Sequence, residues 1–395
     1  MHSFARTRAR RAGIFLLVVT LVWGLSASCA GKAGAHVGLV KLGTSGHVVS
    51  FGALPAASAF DGYPCKGGGD VQCPTWNSCS KLASCTGDAP DPSIVRSGAD
   101  YWAFSTGTAL GNNIQVLVSP HLTSGWHPLN SGPGGGWNRF GSSPFPGGAG
   151  LGSWERLGSE TSPVVVNVKG RWLMYYDAVN KSTGRFCIGV AVGPRVPTSD
   201  SDHVSPVFFS SGGPLECRAP APSPQDGVID PDVYVDPLTN AVTLIFKSND
   251  GSSSAPAYID SEPLGAGGLS VKGAASVLFS NNTVLHHWEK TVENPSVVKV
   301  GGAYALLFSG GRWDSSGYAE GVAWCANLTS ACQESEAGPV LSKYGDVAGP
   351  GGGAWFVDRG SVWLVYAAWT KGCVGYSNTA CGAGRKMYVT GVTLR

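Results

Sequence analysis

Three acidic residues, Asp91, Asp230 and Glu293, stand in similar short phrases although they are far apart in the chain. The phrases are Asp91-Pro-Ser-Ile-Val, Asp230-Pro-Asp-Val-Tyr and Glu293-Asn-Pro-Ser-Val. If one fold brings them together, an ionised carboxylate can accept a proton while a protonated carboxyl gives one, which is general acid–base chemistry. Carboxylates that converge also repel each other, so their gathering indicates a functional site.

The elements that must position these residues form an internal repeat. Two further phrases, Ser162-Pro-Val-Val-Val and Gly349-Pro-Gly-Gly, complete a set of five whose prolines recur every 55–70 residues or so, somewhat longer than a standard propeller blade. Each phrase is followed by a turn and a second strand rich in aliphatic and aromatic residues, which is typical of a β-hairpin. Pro at the head of a strand removes no needed ladder bond. The second strands are Gly98–Ser105, Gly170–Tyr176, Asn240–Phe246, Gly302–Phe308 and Gly360–Tyr366.

This pattern predicts an all-β fold, a five-bladed β-propeller, in which the heads of the innermost strands meet at one end of the central channel. Composition agrees, because 57 Gly, 25 Pro and only 14% charged residues among 395 favour strands and turns. Helical segments with a 3.6-residue period are missing between the strand runs, which argues against an α/β fold. A net charge of +2 without clustered Lys or Arg argues against nucleic acid as a partner.

The first 30 residues are typical of a secretory signal. Arginines between Arg6 and Arg11 precede an apolar stretch, Ile14–Leu25, and small residues up to Ala30. The stretch is too short for a membrane span, so we expect a secreted, extracellular protein. Arg10-Arg11 leaves twin-arginine export open, and Cys29 leaves a lipid anchor open.

Ten of the 11 cysteines follow Cys29, and an even number in an exported chain indicates disulfides. Four lie between Cys65 and Cys85, so we expect a disulfide-rich N-terminal extension over 31–86 and the propeller over 87–395. Cys325/Cys332 and Cys373/Cys381 look like local pairs. The alternating stretch His36–Phe51 predicts an extra strand or a cap, and the last strand, Lys386–Leu394, either completes the fifth blade or closes the ring against the first.

The repeat phrases, with the run Phe308-Ser-Gly-Gly-Arg-Trp-Asp-Ser-Ser-Gly-Tyr318-Ala-Glu-Gly-Val-Ala, resemble glycoside hydrolase family 43. The resemblance implies a five-bladed propeller that acts on arabinans, xylans and related glycans. It implies that Asp91 is the general base, that Glu293 is the general acid, and that Asp230 tunes and orients that acid.

The residues themselves suit this chemistry. Inverting hydrolysis needs two carboxyl groups roughly 6.5–9.5 Å apart, with water between them, and a third anion helps keep a proton on the acid. Four acidic residues are close competitors in sequence: Asp88, Asp232, Asp236 and Glu289. Strand alternation puts Asp232 on the same face as Asp230, whereas Asp236 belongs to the turn 236–240.

Two departures from the family pattern bear on ligands. The second blade opens with Glu160-Thr-Ser-Pro, and Gly352 stands where several members have a His that helps to hold a central ion. We therefore expect no required cofactor and no metal in the catalytic site. A central structural calcium ion stays open, although the missing His argues against it, and we interpret His286-His287 as a surface or loop pair. Because sugars stack on aromatic rings, Trp288 and Trp313 near Glu293 are the candidate substrate-binding residues, ahead of Trp137 and Trp154 in loops.

The sequence thus predicts a secreted, monomeric inverting glycosidase that cleaves arabinofuranosyl or xylosyl linkages of polysaccharides or oligosaccharides. One alternative is a carbohydrate-binding propeller without turnover. Another is a retaining fructan- or sucrose-active hydrolase of related five-bladed families, which resemble Asn-Asp-Pro-Asn-Gly, Arg-Asp-Pro and Glu-Cys at the three acidic places. The presence of all three carboxylates argues against a propeller without turnover. The phrases around them differ from those of the retaining families, so the sequence favours an inverting hydrolase.

Overall fold

The computed structural model describes residues 40–42, 47–59, 88–107, 114–128, 150–193, 208–217, 227–248, 256–281, 286–334, 338–377 and 384–395. The signal, most of the Cys-rich extension, Trp137 and Cys381 lie outside these residues, so the boundaries at 30 and 86 stay predictions. The described residues are strands, turns and loops. Among them, no helix is long and apolar enough to cross a membrane.

Four antiparallel sheets follow one another along the chain, each made of four consecutive strands. The first holds β3 (Ser93–Ser97), β4 (Asp100–Thr106), β5 (Ile114–Ser119) and β6 (His127–Pro128). The second holds β7 (Thr161–Val168), β8 (Arg171–Val179), β9 (Phe186–Gly193) and β10 (Phe209–Ser210). The third holds β11 (Val228–Val235), β12 (Val242–Ser248), β13 (Tyr258–Leu264) and β14 (Ser276–Ser280), and the fourth β15 (Val292–Val300), β16 (Ala303–Gly310), β17 (Ala319–Cys325) and β18 (Gln333–Glu334).

The fifth sheet combines both ends of the described chain. Its strands β19 (Val347–Asp358), β20 (Ser361–Thr370) and β21 (Lys386–Leu394) are joined by β2 (Val48–Phe51) and β1 (Val40–Leu42), in the order β1-β2-β21-β20-β19. The last strand therefore completes the fifth blade. The alternating N-terminal stretch supplies an extra strand, because Val49 pairs with Leu394 and Phe51 with Val392.

The five sheets form a closed ring. The first strands of the five blades, β3, β7, β11, β15 and β19, contact one another in cyclic order. Apolar clusters fill each of the five spaces between neighbouring blades. Trp102, for example, is wholly buried between the first and second blades. The predicted five-bladed β-propeller is confirmed.

A backbone feature recurs at the head of every innermost strand. The residue before the repeated Pro has a positive φ in all five blades, at 50° for Asp91, 47° for Ser162, 54° for Asp230, 47° for Asn294 and 57° for Gly349. In four blades a register shift follows, as between Ile229 and Asp232. Left-handed backbone is uncommon outside Gly, and Asp and Asn tolerate it best. Such conformations cluster at functional sites, where the surrounding structure holds them.

Two disulfides join described residues. Cys325 and Cys332 link β17 to the segment before β18, which confirms the predicted local pair. Cys187 and Cys217 close a separation of 30 residues in the second blade, a pairing that spacing alone does not reveal.

Candidate active site

The five Pro phrases meet at one end of the ring axis. A narrow cavity there is lined by residues of all five blades, among them Asp91, Ser162, Asp232, Asn294 and Gly352. The convergence that the repeat predicts is therefore present.

Asp91 lies just before β3 and is held by a fork of hydrogen bonds. Arg385 donates Nη1–H to Oδ1 and Nη2–H to Oδ2, both at 3.1 Å, and the Thr106 hydroxyl donates to Oδ2 at 2.8 Å. The side chains of Arg385 and Asp91 are only 8% and 11% exposed, so the ion pair is well shielded from water. The two charge-assisted hydrogen bonds from one planar guanidinium fix the orientation of the Asp91 carboxylate.

Asp230 heads β11 and faces the neighbouring blades. Its Oδ1 accepts the Ser162 hydroxyl at 2.7 Å, and its Oδ2 accepts the backbone N–H of Asn294 at 3.1 Å. Its own N–H donates to Asp177 Oδ2 at 2.8 Å. Burial, with the negative charges of Glu293 and Asp177, raises the pKa of Asp230 well above its usual range. Asp230 and Glu293 therefore form a closely interacting pair that resists carrying two full charges.

Glu293 lies in β15, one residue before the left-handed Asn294. Lys247 donates to its Oε2 at 3.0 Å, and the Tyr318 hydroxyl donates to its Oε1 at 2.8 Å. The Lys247 side chain is 2% exposed, which makes this a second buried ion pair. Asn294, and not Glu293, has the left-handed position before the repeated Pro that Asp91 and Asp230 have in their blades.

Asn294 ties the three carboxyl groups together. Its backbone N–H bonds Asp230, and its side-chain amide lies 3.4 Å from Asp91 Oδ1 and 3.4 Å from the Tyr318 hydroxyl. Because Tyr318 also bonds Glu293, one connected network contains Asp91, Asp230 and Glu293. The structure thus brings all three predicted residues to one mouth of the ring.

The sequence competitors have other positions. Asp232 accepts the N–H of Val297 at 2.8 Å, linking the third and fourth blades, and burial raises its pKa to about 6. Asp236 caps its turn by accepting the N–H groups of Leu238 and Thr239 at 3.0 and 2.9 Å, as predicted. Asp88 accepts the N–H of Arg385 at 2.7 Å and so helps to seat that guanidinium. Glu289 is buried near Glu334 at the outer part of the fourth blade.

The two candidate tryptophans differ in setting. Trp288 stacks on Phe308 with ring centroids 5.7 Å apart and covers Gly310 and Gly321, so it packs into the fourth blade. Trp313 is 41% exposed, and the Arg385 guanidinium lies 5.2 Å from its ring centroid. Tyr376, 38% exposed, lies beside Trp313 at 5.8 Å. An exposed aromatic pair next to the Asp91 ion pair is suited to stack on a sugar face.

The residues around the axis do not fit a calcium ion. Gly352 has no ligand atom in its side chain, its φ is +64°, and a Cβ there would lie 2.6 Å from Asp91 Oδ1. Both oxygens of Asp91 are already engaged by Arg385. Away from the axis, His286, Glu289 and Glu334 bring ligand-type atoms within 4.8 Å of one another. That group is joined internally, His286 to Glu334 at 3.2 Å.

Sequence reasoning missed Lys247, Arg385 and Asp177. The repeat contains a signal for Asp177 and Lys247. Both lie at the end of the second strand of their blade, opposite the head of the first strand, and Thr106 and Ser309 have the equivalent position in two other blades. A lone charge closing an apolar strand, as in Val-Thr-Leu-Ile-Phe-Lys247, marks a side chain with a buried partner. Arg385 comes from the loop before β21 and follows no repeat.

A five-bladed propeller with a buried acid network at one mouth is the architecture of a glycan-cleaving enzyme class. The family model of glycosyl hydrolases family 43 matches residues 84–395. The chain therefore belongs to glycosyl hydrolases family 43 and is an O-glycosyl hydrolase.

Relatives agree with this placement. The chain is 26% identical over 324 residues to the probable arabinan endo-1,5-alpha-L-arabinosidase A of Aspergillus fumigatus, covering 77% of this chain and 88% of that protein. Among solved structures, an alpha-L-arabinofuranosidase from Lactobacillus brevis superposes with a TM-score of 0.55 at 16% identity, over 77% of this chain and 90% of that one. An endo-arabinanase from Bacillus licheniformis superposes with a TM-score of 0.53 at 19% identity, over 77% and 93%. At these identities the solved structures establish the fold.

Proposed function

We propose that this hydrolase cleaves arabinofuranosyl or xylosyl linkages in plant-type glycans with inversion at the anomeric carbon. The observation that carries the proposal is the network in which Asn294 joins Asp230 through its backbone and Asp91 through its side chain, directly beside Glu293. The substrate class is supported by the names of the relatives, which include arabinan- and xylan-active enzymes.

In the proposed reaction, Asp91 accepts a proton from water as the water oxygen bonds to the anomeric carbon. Glu293 gives its proton to the departing glycosidic oxygen as the carbon–oxygen bond breaks. Arg385 binds both oxygens of Asp91 and so holds the base in one orientation. Asp230, whose pKa is raised by burial and by the charge of Glu293, disfavours a second full negative charge in the pair that it forms with Glu293.

Lys247 has the opposite electrostatic effect on Glu293. Its ammonium stabilises the carboxylate that remains after proton transfer, and it holds the carboxyl in one orientation together with Tyr318. Asp230 and Lys247 thus act on opposite sides of the transfer, one before and one after the proton leaves.

Trp313, with Tyr376 beside it, is proposed as the sugar platform at the rim. Trp288 also stays a predicted substrate-binding residue, although its packing on Phe308 gives it a second role in the fourth blade.

The test compares wild type with Asp91→Asn and Glu293→Gln on nitrophenyl arabinofuranoside, nitrophenyl xyloside, debranched arabinan and xylan. Loss of either group is expected to lower kcat by about 10²–10⁴-fold on the polysaccharides. Glu293→Gln should retain more activity on the nitrophenyl glycosides, because nitrophenolate leaves without a donated proton. Asp91→Asn should lose activity on the polysaccharides and on the nitrophenyl glycosides to the same extent. Asp236→Asn, a carboxylate in a turn at the far end of β11, is the matched control with unchanged kcat.

Proton NMR of the first-formed anomer completes the test. The opposite anomeric configuration from the substrate is expected. A first product that keeps the configuration would replace inversion by the retaining alternative, and sugar binding without turnover in wild type would favour a carbohydrate-binding propeller.

We further propose that the protein is exported and acts as a monomer without a required cofactor. The disulfides Cys187–Cys217 and Cys325–Cys332 support an oxidising compartment. Mass spectrometry of the product made by an exporting host should find a mature N-terminus near residue 30, and an acylated Cys29 would instead establish the lipid anchor. Light scattering should give a monomer mass, and activity should persist after treatment with a chelator.

A further inference from the structure

A fourth buried carboxyl, Glu320, lies behind the active-site network. It sits on β17 with no exposed surface. Glu293, Ser309 and Glu320 lie directly opposite one another on the three adjacent strands β15, β16 and β17. An ionisable group at such a place costs stability unless something holds it, so its contacts indicate what it does.

Glu320 is connected to Asp91 through one hydroxyl and one backbone amide. The Ser309 hydroxyl donates to Glu320 Oε2 at 3.0 Å, and the same oxygen of Ser309 accepts the N–H of Gly352 at 2.8 Å. Gly352 in turn packs against the base, since a Cβ on it would lie 2.6 Å from Asp91 Oδ1. The other oxygen of Glu320 lies against the backbone of Gly353. Glu320 and Ser309 therefore fix the position of the strand that forms one wall beside Asp91.

The groups that face Glu320 make its charge state important. Burial, and then the negative charges of Glu293 and Asp91, raise its pKa to about 8. The nearby hydroxyls of Tyr318 and Tyr366 stay neutral, because burial raises their pKa values far above the usual range. The two buried cations of the active-site network, Lys247 and Arg385, are paired with Glu293 and Asp91. The raised pKa means that Glu320 adds little negative charge to the network at neutral pH.

We propose that Glu320 is a positioning residue for the hydrolytic reaction, because through Ser309 it holds Gly352 against Asp91. The proposal rests on the role proposed above for Asp91 as the base. It predicts that disturbing Ser309 or Glu320 affects attack by water rather than protonation of the leaving group.

The kinetic test uses Ser309→Ala, Glu320→Asp and Glu320→Gln. Ser309→Ala and Glu320→Asp break the connection to Gly352, and kcat should fall about 10–100-fold with little change in KM, as expected for a misplaced catalytic group. The fold loss should be equal on nitrophenyl arabinofuranoside and debranched arabinan, unlike that of Glu293→Gln. Glu320→Gln keeps the acceptor for Ser309 and the neutral charge, so it should retain wild-type kcat at pH 7.

The matched control is Asp260→Asn. Asp260 is equally buried on the third strand of the third blade and accepts the hydroxyl of Ser248, but it has no connection to Asp91. This variant should change the unfolding temperature and leave kcat unchanged. Wild-type kcat in Ser309→Ala, or a loss of kcat in Glu320→Gln as large as that in Glu320→Asp, would overturn the proposal.

A second measurement does not depend on turnover. Hydrogen exchange of the Gly352 amide, followed by NMR, should be at least about tenfold faster in Ser309→Ala and Glu320→Asp than in wild type and in Glu320→Gln. Unchanged exchange would refute the connection even in an inactive protein. Absence of turnover in wild type with the exchange pattern intact would instead contradict only the proposed hydrolysis.

Discussion

The ion pair between Arg385 and Asp91 predicts a large loss of stability when the cation is removed. In Arg385→Met an apolar side chain of similar length replaces the guanidinium, and Asp91 keeps its bonds to Thr106 and Asn294. Removing one partner of a buried pair costs about 3–5 kcal/mol, because the other charge stays buried. The remaining hydrogen bonds place the expected loss at the lower end, about 3 kcal/mol.

The chain contains a matched pair for comparison. Arg312 and Asp314 are also joined by two bonds, at 2.9 and 2.7 Å, but their side chains are 72% and 32% exposed. For an exposed pair the expected loss in Arg312→Met is about 0–1 kcal/mol. The same type of contact should therefore give very different costs in the two settings.

Urea unfolding followed by tryptophan fluorescence at pH 7 measures both variants. A loss of 3 kcal/mol lowers the urea midpoint by about 1–3 M for an m-value of 1–3 kcal/mol/M. Equal losses in Arg385→Met and Arg312→Met would refute the reasoning from burial. A stable Arg385→Met with normal kcat would also remove Arg385 from the account of Asp91.

Three further predictions test other parts of the site. Asp232 has a pKa raised to about 6, so its favourable contribution is complete below the unfolded value near 4 and is lost as the pH rises to 6. Between pH 4 and pH 7, the free energy of unfolding of Asp232→Asn should therefore rise relative to that of wild type by up to about 2–3 kcal/mol, as measured by urea unfolding. A stability difference between the two proteins that does not change with pH would contradict this. Trp313→Ala should raise KM for arabino-oligosaccharides about tenfold with little change in unfolding temperature, whereas Trp288→Ala should lose about 3 kcal/mol of stability; the reverse pattern would show that their settings were misread. Gly352→Ala should lower both stability, by about 1–3 kcal/mol, and kcat, because its φ is +64° and its Cβ would meet Asp91, and wild-type values for both would show that the wall is free to move.

The fold could be predicted because each blade repeats the same local instructions. A Pro at the head of a strand, followed by a turn and a second apolar strand, recurs five times, and a run of β-branched residues follows the Pro in four of the five phrases. The repeat does not predict which strands pair at the two ends of the chain. β2 pairs with β21, more than three hundred residues away, and no local sequence feature indicates that partner.

The acids of the site could be predicted because they lie at or beside the repeated position of each blade. Their partners could not, because they lie outside the repeat or act through other groups. Asp91 and Asp230 lie directly before the repeated Pro, and Glu293 lies one residue earlier in its phrase. Their equivalent positions in the repeat are enough to predict that they lie close together. Arg385 lies in a loop outside the repeat, and Glu320 reaches Asp91 only through Ser309 and a backbone amide. Contacts made through loops, relays and main-chain atoms depend on three-dimensional placement that residue spacing does not encode.

The pairing of β2 with β21 has a consequence for how the enzyme reaches its native state. Four of the blades are meanders of consecutive strands, whereas the fifth adds β2 to the meander β19–β21 and so needs two strands more than three hundred residues apart to meet. Such long-range pairing is slow, because the chain entropy of joining them is lost before the contacts form. The apolar cluster between the fourth and fifth blades includes Val49 and Phe51 of β2, so it should be the last apolar surface to be covered. Until β2 docks, this surface is open to chaperones and to aggregation.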